Sequence, residues 1–238
     1  MKHYIIRYLK FLFIYLKLYK FFRLFSGFFL NLFYLSELSV WINQNKKIKF
    51  NDFPSKWNYQ KRYTLYTWVL QNENLTEIPI NYLEFGVAGG ESFRWFLDQN
   101  KNQHSRFYGF DTFTGLPEDF GSYKKGTFDT SMKAPELTDP RGKFFQGLFQ
   151  QTLPSFLPEL DIKKRNVIML DADLYSATLY TLTALAPFIK KDDIIFFDEF
   201  AVPTHEFKAF YDFTQSYSVN LQLIASASNY YFAAFKIL

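Results

Sequence analysis

The carboxylates of this chain fall where acids can act together. Asp171 and Asp173 follow the apolar run Asn166 to Leu170, and Asp198 and Glu199 follow Ile194 to Phe197. Asp111 closes Arg106 to Phe110, and Glu84 lies within Tyr82 to Phe85. One acid at the end of an apolar run commonly caps the next helix. Asp173, just ahead of a helical stretch at Ser176, fits that role by spacing. Five acids along one edge (Glu84, Asp111, Asp171, Asp198, Glu199) are harder to read as caps, because mutual repulsion raises their proton affinity unless a cation or ligand hydroxyls meet them. Asp171, Asp198 and Glu199 offer oxygen donors without thiolate or imidazole, a set that suits a hard cation such as Mg²⁺. For proton transfer the candidates are Asp173 and His205, the latter a residue type that titrates near neutrality. A histidine at the start of a surface helix is the plainer reading of His205.

Beside these acids stands a glycine turn. Tyr82 to Phe85 breaks into Gly86-Val-Ala-Gly89-Gly90 and restarts as a helix through Phe93, Trp95 and Phe96. A strand feeding a glycine turn feeding a helix lets backbone approach a nucleotide-like ligand closely, with the helix N-terminus adding partial positive charge. The spacing is G-x-x-G-G, not the dinucleotide fingerprint. Asp111 lies 27 residues past Glu84, where a carboxylate can accept hydrogen bonds from ribose hydroxyls.

The elements that must position these groups alternate. Strands are expected at 82–85, 106–110, 143–145, 166–170 and 194–197. Helices are expected at 57–70, 92–98, from near Thr152, at 176–189 and at 204–216. A closing hairpin, Leu221 to Ala227 and Tyr230 to Lys236, turns around Ser228-Asn229. That order predicts an α/β fold with a mainly parallel sheet and ligands at its carboxyl edge. Gly115 to Arg141 is polar and reads as a long excursion of the kind that forms lids.

Composition narrows the chemistry. The 238 residues contain no cysteine and three histidines, which excludes disulfides, thiolate catalysis and cysteine-bound zinc. The net charge of +4 is unevenly placed. Residues 1–50 carry nine Lys/Arg and one acid, so the remaining 188 sum to −4, unlike a nucleic-acid-binding surface. The chain therefore divides into an aromatic, basic helical extension, 1–45, and a domain at 46–238, with polar Asn43 to Pro54 at the boundary.

Within the extension the longest uncharged run, Leu24 to Ser36, is 13 residues, short of the roughly 20 needed to span a bilayer. On a helix its cations share one sector, while Tyr4, Tyr8, Phe11, Tyr15, Tyr19 and Phe22 fall on the other. That arrangement suits the membrane interface through residues 1–35; packing on the domain or on a second copy of the chain is the alternative.

Five motifs in order resemble the TylF-type S-adenosylmethionine-dependent sugar O-methyltransferases. They are Leu83-Glu-Phe-Gly-Val-Ala-Gly-Gly-Glu-Ser92, Gly109-Phe-Asp-Thr-Phe-Thr-Gly-Leu-Pro117, Gly147-Leu-Phe-Gln-Gln-Thr-Leu-Pro154, Asp171-Ala-Asp-Leu-Tyr-Ser-Ala-Thr178 and Phe197-Asp-Glu-Phe200. The resemblance implies a Rossmann-like class I methyltransferase sheet of seven strands with an antiparallel final hairpin. It implies S-adenosylmethionine held among Glu84, Gly86, Val87, Gly89, Ser92, Asp111, Thr112, Phe113 and Gly147, Mg²⁺ held by Asp171, Asp198 and Glu199, and Asp171 as a catalytic base as well as a metal ligand. The family more often has Asp-Asp-Tyr where this chain has Asp198-Glu199-Phe200. The acceptor expected is a sugar or glycan hydroxyl, in a cytoplasmic protein peripheral to the inner membrane face. An inactive scaffold or glycan-binding protein of the same fold is the alternative reading.

Overall fold

The computed structural model describes residues 2–238; Met1, the first residue of the extension, lies outside the described residues. Eight strands form one sheet: β1 (Phe50–Asn51), β2 (Ile80–Phe85), β3 (Arg106–Asp111), β4 (Gly142–Gln146), β5 (Arg165–Leu170), β6 (Ile194–Phe197), β7 (Leu221–Ala227) and β8 (Phe232–Ile237). Their spatial order is β1-β7-β8-β6-β5-β2-β3-β4. Every neighbouring pair is parallel except the two that involve β8. Strands β2 and β6 are buried along their whole length, as expected where helices cover both faces of a parallel sheet.

The helices are α1 (Lys2–Tyr15), α2 (Tyr19–Phe22), α3 (Ser26–Asn45), α4 (Lys61–Asn72), α5 (Glu91–Gln99), α6 (Phe149–Phe156), α7 (Tyr175–Leu185) and α8 (Glu206–Tyr217). Side chains of α6, α7, α8 and the second half of α3 fill one face of the sheet, and those of α4 and α5 the other. Across β2, β3 and β4 the registered residues Phe85, Phe110 and Phe145 stack in a row, with centroids 4.9 Å apart at both steps. Such pairs add about 0.5–1.5 kcal/mol each beyond burial, and this row stiffens the sheet just below its carboxyl edge.

Three expectations change. The boundary segment contains β1, whose Phe50 and Asn51 pair with Ala225 and Ser226; a two-residue strand has too little pattern to read. Helix α6 starts at Phe149, ahead of Thr152. The extension is not one continuous helix, because Lys17 turns left-handed (φ 53°) between α1 and α2, so Tyr19 and Phe22 do not continue the face begun by Tyr4 and Tyr8. The second half of α3 is docked on the domain. Tyr34 and Leu38 are buried, and Trp41 meets Phe200, Phe210 and Phe235 at 5.0, 5.3 and 5.7 Å.

Candidate active site

The glycine turn and the acidic strand ends are joined by main chain. Asp171 N–H donates to the Phe85 carbonyl at 2.9 Å. Gly86 sits at φ +94°, and a Cβ there would fall 1.8 Å from the Asp171 carbonyl oxygen. Gly86→Ala should therefore cost about 3 kcal/mol, from the left-handed backbone and the main-chain collision together. Gly89→Ala, with nothing within 4 Å of its Cβ position, should cost under about 1 kcal/mol. Urea unfolding of the two variants measures the contrast; equal losses would mean the strand ends move apart freely.

Asp111 pins this turn. One carboxylate oxygen accepts from the Val87 and Ala88 amides at 2.7 and 2.8 Å, and the other from the Phe113 amide at 2.8 Å. Behind the turn, Glu84 is fully buried and accepts from the Tyr82 hydroxyl (2.5 Å) and the Ser92 hydroxyl (2.7 Å). Burial outweighs those two bonds and pushes its pKa up to about 8. Glu84 and Ser92 thus tie strand to helix and do not line the cavity.

Parallel pairing of β5 and β6 sets Leu170 opposite Phe197, which brings Asp171 and Asp198 side by side. The cation between them is Arg62 of α4, 3.5 Å from Asp198 and 3.9 Å from Asp171. Burial works against the guanidinium charge, but Asp198 and its other neighbours more than compensate and hold it protonated. Arg62 also lies 4.0 Å from the ring centre of Tyr59, donates to the Tyr59 hydroxyl, and reaches the Tyr63 hydroxyl at 3.1 Å. Asp198 accepts from the Tyr66 hydroxyl at 2.7 Å. Burial raises the pKa of both acids; for Asp171 the charges of Asp198 and Asp173 add to it.

Asp173 is not a helix cap. Leu174 holds the cap position of α7 without a side-chain bond, and Asp173 takes a left-handed φ of 59°. Its carboxylate lines the cavity. Burial, then the charges of Asp198 and Asp111, push its pKa up to about 7.

These groups border a cavity of about 700 Å³. One side is Gly86, Val87, Asp111 and Thr112, and the floor is Asp171, Asp173, Asp198 and Glu199. The excursion after β3 supplies the wall opposite, through Leu116, Phe120, Tyr123 and Phe128. It carries only two isolated bridges, Thr114 to Asp129 and Phe120 to Tyr123, and returns at Arg141, whose guanidinium binds the carbonyls of Leu97 and Asn100. Of the other residues singled out by sequence, Gly89 and Phe113 stand outside the lining, Phe113 being fully buried. Gly147 borders an adjoining groove with Thr112. His205 stands behind Phe120, edge-on at 4.8 Å, its pKa lowered by burial. Sequence reasoning missed Tyr59, Arg62 and Tyr66. The available signal was a tyrosine three residues before and another four after an arginine, Tyr66 sharing the Arg62 face of α4 and Tyr59 preceding the helix.

A divalent ion does not fit this arrangement. Glu199 turns to the Tyr231 hydroxyl at 2.5 Å, and Arg62 already stands between the two aspartates. Among the described residues no three His, Cys, Asp or Glu side chains are placed to hold a metal. The expected set of Asp171, Asp198 and Glu199 is adjacent along the chain edge but does not converge. The extra methylene of Glu199 and the reach of Tyr231 are the physical reason.

Residues 83–200 match the family model of a methyltransferase domain. The chain has the fold of the class I methyltransferases. Two solved structures share that fold. The calicheamicin methyltransferase CalS11 superposes with a TM-score of 0.55 at 23% identity, covering 75% of this chain and 77% of that one. The O-methyltransferase NovP superposes with a TM-score of 0.53 at 18% identity, covering 75% and 78%. No curated protein matches the sequence significantly. The matched residues span the glycine turn, Asp111, the excursion and both acidic strand ends, and leave Arg62 outside.

Proposed function

We propose that the chain is an S-adenosylmethionine-dependent O-methyltransferase acting on a hydroxyl of a sugar or glycan-like acceptor. The observation that carries this reading is the cavity that joins the glycine turn to the unpartnered carboxylate of Asp173. Its volume of about 700 Å³ leaves room for a nucleoside-sized ligand and a second small molecule. Carboxylates on its floor complement the sulfonium charge of the donor, and the motif resemblance to the TylF-type enzymes points to a sugar hydroxyl as acceptor.

The bound donor supplies an activated methyl group on positively charged sulfur. The chain then has two tasks: alignment of the acceptor oxygen and removal of its proton. Asp173 suits proton removal, since its carboxylate faces the cavity and its pKa of about 7 matches a base working near neutrality. When methyl passes from the donor sulfur to the acceptor oxygen, the hydroxyl proton would be taken by Asp173. Asp171, held by Arg62, is the positioning carboxylate beside it. The Mg²⁺ implied by the resemblance takes no part in this reading, because Arg62 supplies the compensating charge.

Calorimetric titration of S-adenosylmethionine into the full chain, with Mg²⁺ and with a chelator, tests the reading. Saturable binding of equal strength in both is expected, followed by methyl transfer to a sugar acceptor seen by mass spectrometry. No binding by the folded protein would favour the scaffold alternative. Binding that requires Mg²⁺ would mean that Glu199 leaves Tyr231 and Arg62 withdraws.

A further inference from the structure

The extension up to Leu35 presents a surface that a folded domain does not ordinarily leave in water. Among the described residues, 33 large apolar side chains are exposed, and 22 of them lie between Tyr4 and Leu35. They cover α1, α2 and the first half of α3, none of which buries a residue before Tyr34. Patches beyond a few hundred Å² of this kind mark an interaction surface. Interleaved with them are Lys2, Arg7, Lys10, Lys17, Lys20 and Arg23, and no acid occurs before Glu37.

That charge pattern selects the occupant. A second copy of the same surface would bring six cations against six cations with no carboxylate to meet them, a repulsive match. An anionic lipid surface offers the complementary charge together with an apolar layer for Phe and Leu, and tyrosine is favoured at the boundary. The helices do not cross: no described helix is long and apolar enough to span a membrane. Helix α1 has 14 residues, about 21 Å at 1.5 Å per residue, against about 30 Å of hydrocarbon. The left-handed break at Lys17 divides the surface into short helices that can each settle in the plane of the interface. The docked half of α3 joins this surface to the acidic strand end, since Trp41 packs edge-on against Phe200, the residue after Glu199.

We infer that residues 2–33 seat the protein on an anionic bilayer, lying in its interface without spanning it. Co-sedimentation of the full chain with vesicles of phosphatidylcholine, and of phosphatidylcholine mixed with phosphatidylglycerol, tests this. Binding is expected only to the anionic vesicles and should weaken as salt rises. Replacing Lys10, Lys17 and Lys20 together by glutamate should lower partitioning at least about 100-fold, since each lost cation alone is worth about fivefold. Phe21→Ser with Phe25→Ser should weaken binding to the anionic vesicles while leaving its salt dependence in place. Equal binding to neutral vesicles, or retention of binding by the glutamate variant, would overturn the inference. So would a lipid-free oligomer, seen by sedimentation velocity, that Phe21→Ser with Phe25→Ser disperses and vesicles do not.

Discussion

Arg62→Met should destabilise the domain by about 3–5 kcal/mol, the cost of leaving buried charge without its partner. Asp198 has only 4% of its side chain exposed and lies beside Asp171, so the two carboxylates would face each other with the Tyr66 hydroxyl as the remaining donor to Asp198. The deficit should grow as pH rises, because only the ionised carboxylates need the guanidinium. Below the pH at which Asp198 protonates, much of the loss should vanish. Arg62→Lys should recover part of the stability but not the planar contacts to Tyr59 and Tyr63. Adding Asp198→Asn to Arg62→Met removes the stranded charge and should restore more than half of the loss. Urea unfolding of the wild type, the two Arg62 variants, Asp198→Asn alone and the double variant at two pH values gives the comparison. Simple additivity of the two substitutions would show that Arg62 and Asp198 are not coupled.

Asp173→Asn should lower turnover by a factor of about 10²–10⁴, the range for loss of a positioned base. Donor affinity should change less than about threefold, because the glycine turn and Asp111 are untouched. The pH profile separates the base from a merely structural residue. A base works only when deprotonated, so kcat/KM of the wild type should rise through a midpoint near the Asp173 pKa of about 7 and then level off. In Asp173→Asn that rising limb should disappear. A limb that persists unchanged would assign the proton to another group.

Much of the fold is legible in the sequence because buried parallel strands write themselves as short apolar runs. β2, β3, β5 and β6 lie within two residues of where the pattern puts them. The acids at their ends are legible for the same reason, since a polar residue closing such a run has only the carboxyl edge to occupy. What the strand pattern does not carry is the partner of each acid. Arg62 comes from a helix with no sharp polar face, more than a hundred residues before Asp198. Glu199 is drawn aside by Tyr231, 32 residues away in sequence, and nothing local to either residue marks that bond. Asp173 reads as a cap because helix spacing allows it. Only its left-handed backbone, φ 59°, turns the carboxylate into the cavity. The break in the extension is invisible for a similar reason, because Lys17 is an unremarkable residue in an unusual conformation.

The contact between Gly86 and Asp171 also bears on how such a cavity can diversify. Where a Cβ would stand 1.8 Å from main-chain oxygen, no side chain can be introduced, so this part of the chamber offers selection nothing to exchange. The opposite wall, supplied by Leu116, Phe120, Tyr123 and Phe128, carries no regular ladder and is made almost wholly of replaceable side chains. A library built on Leu116, Phe120, Tyr123 and Phe128 would therefore vary that wall while the glycine turn stays constant. Variation placed at the glycine turn would mostly return unfolded protein.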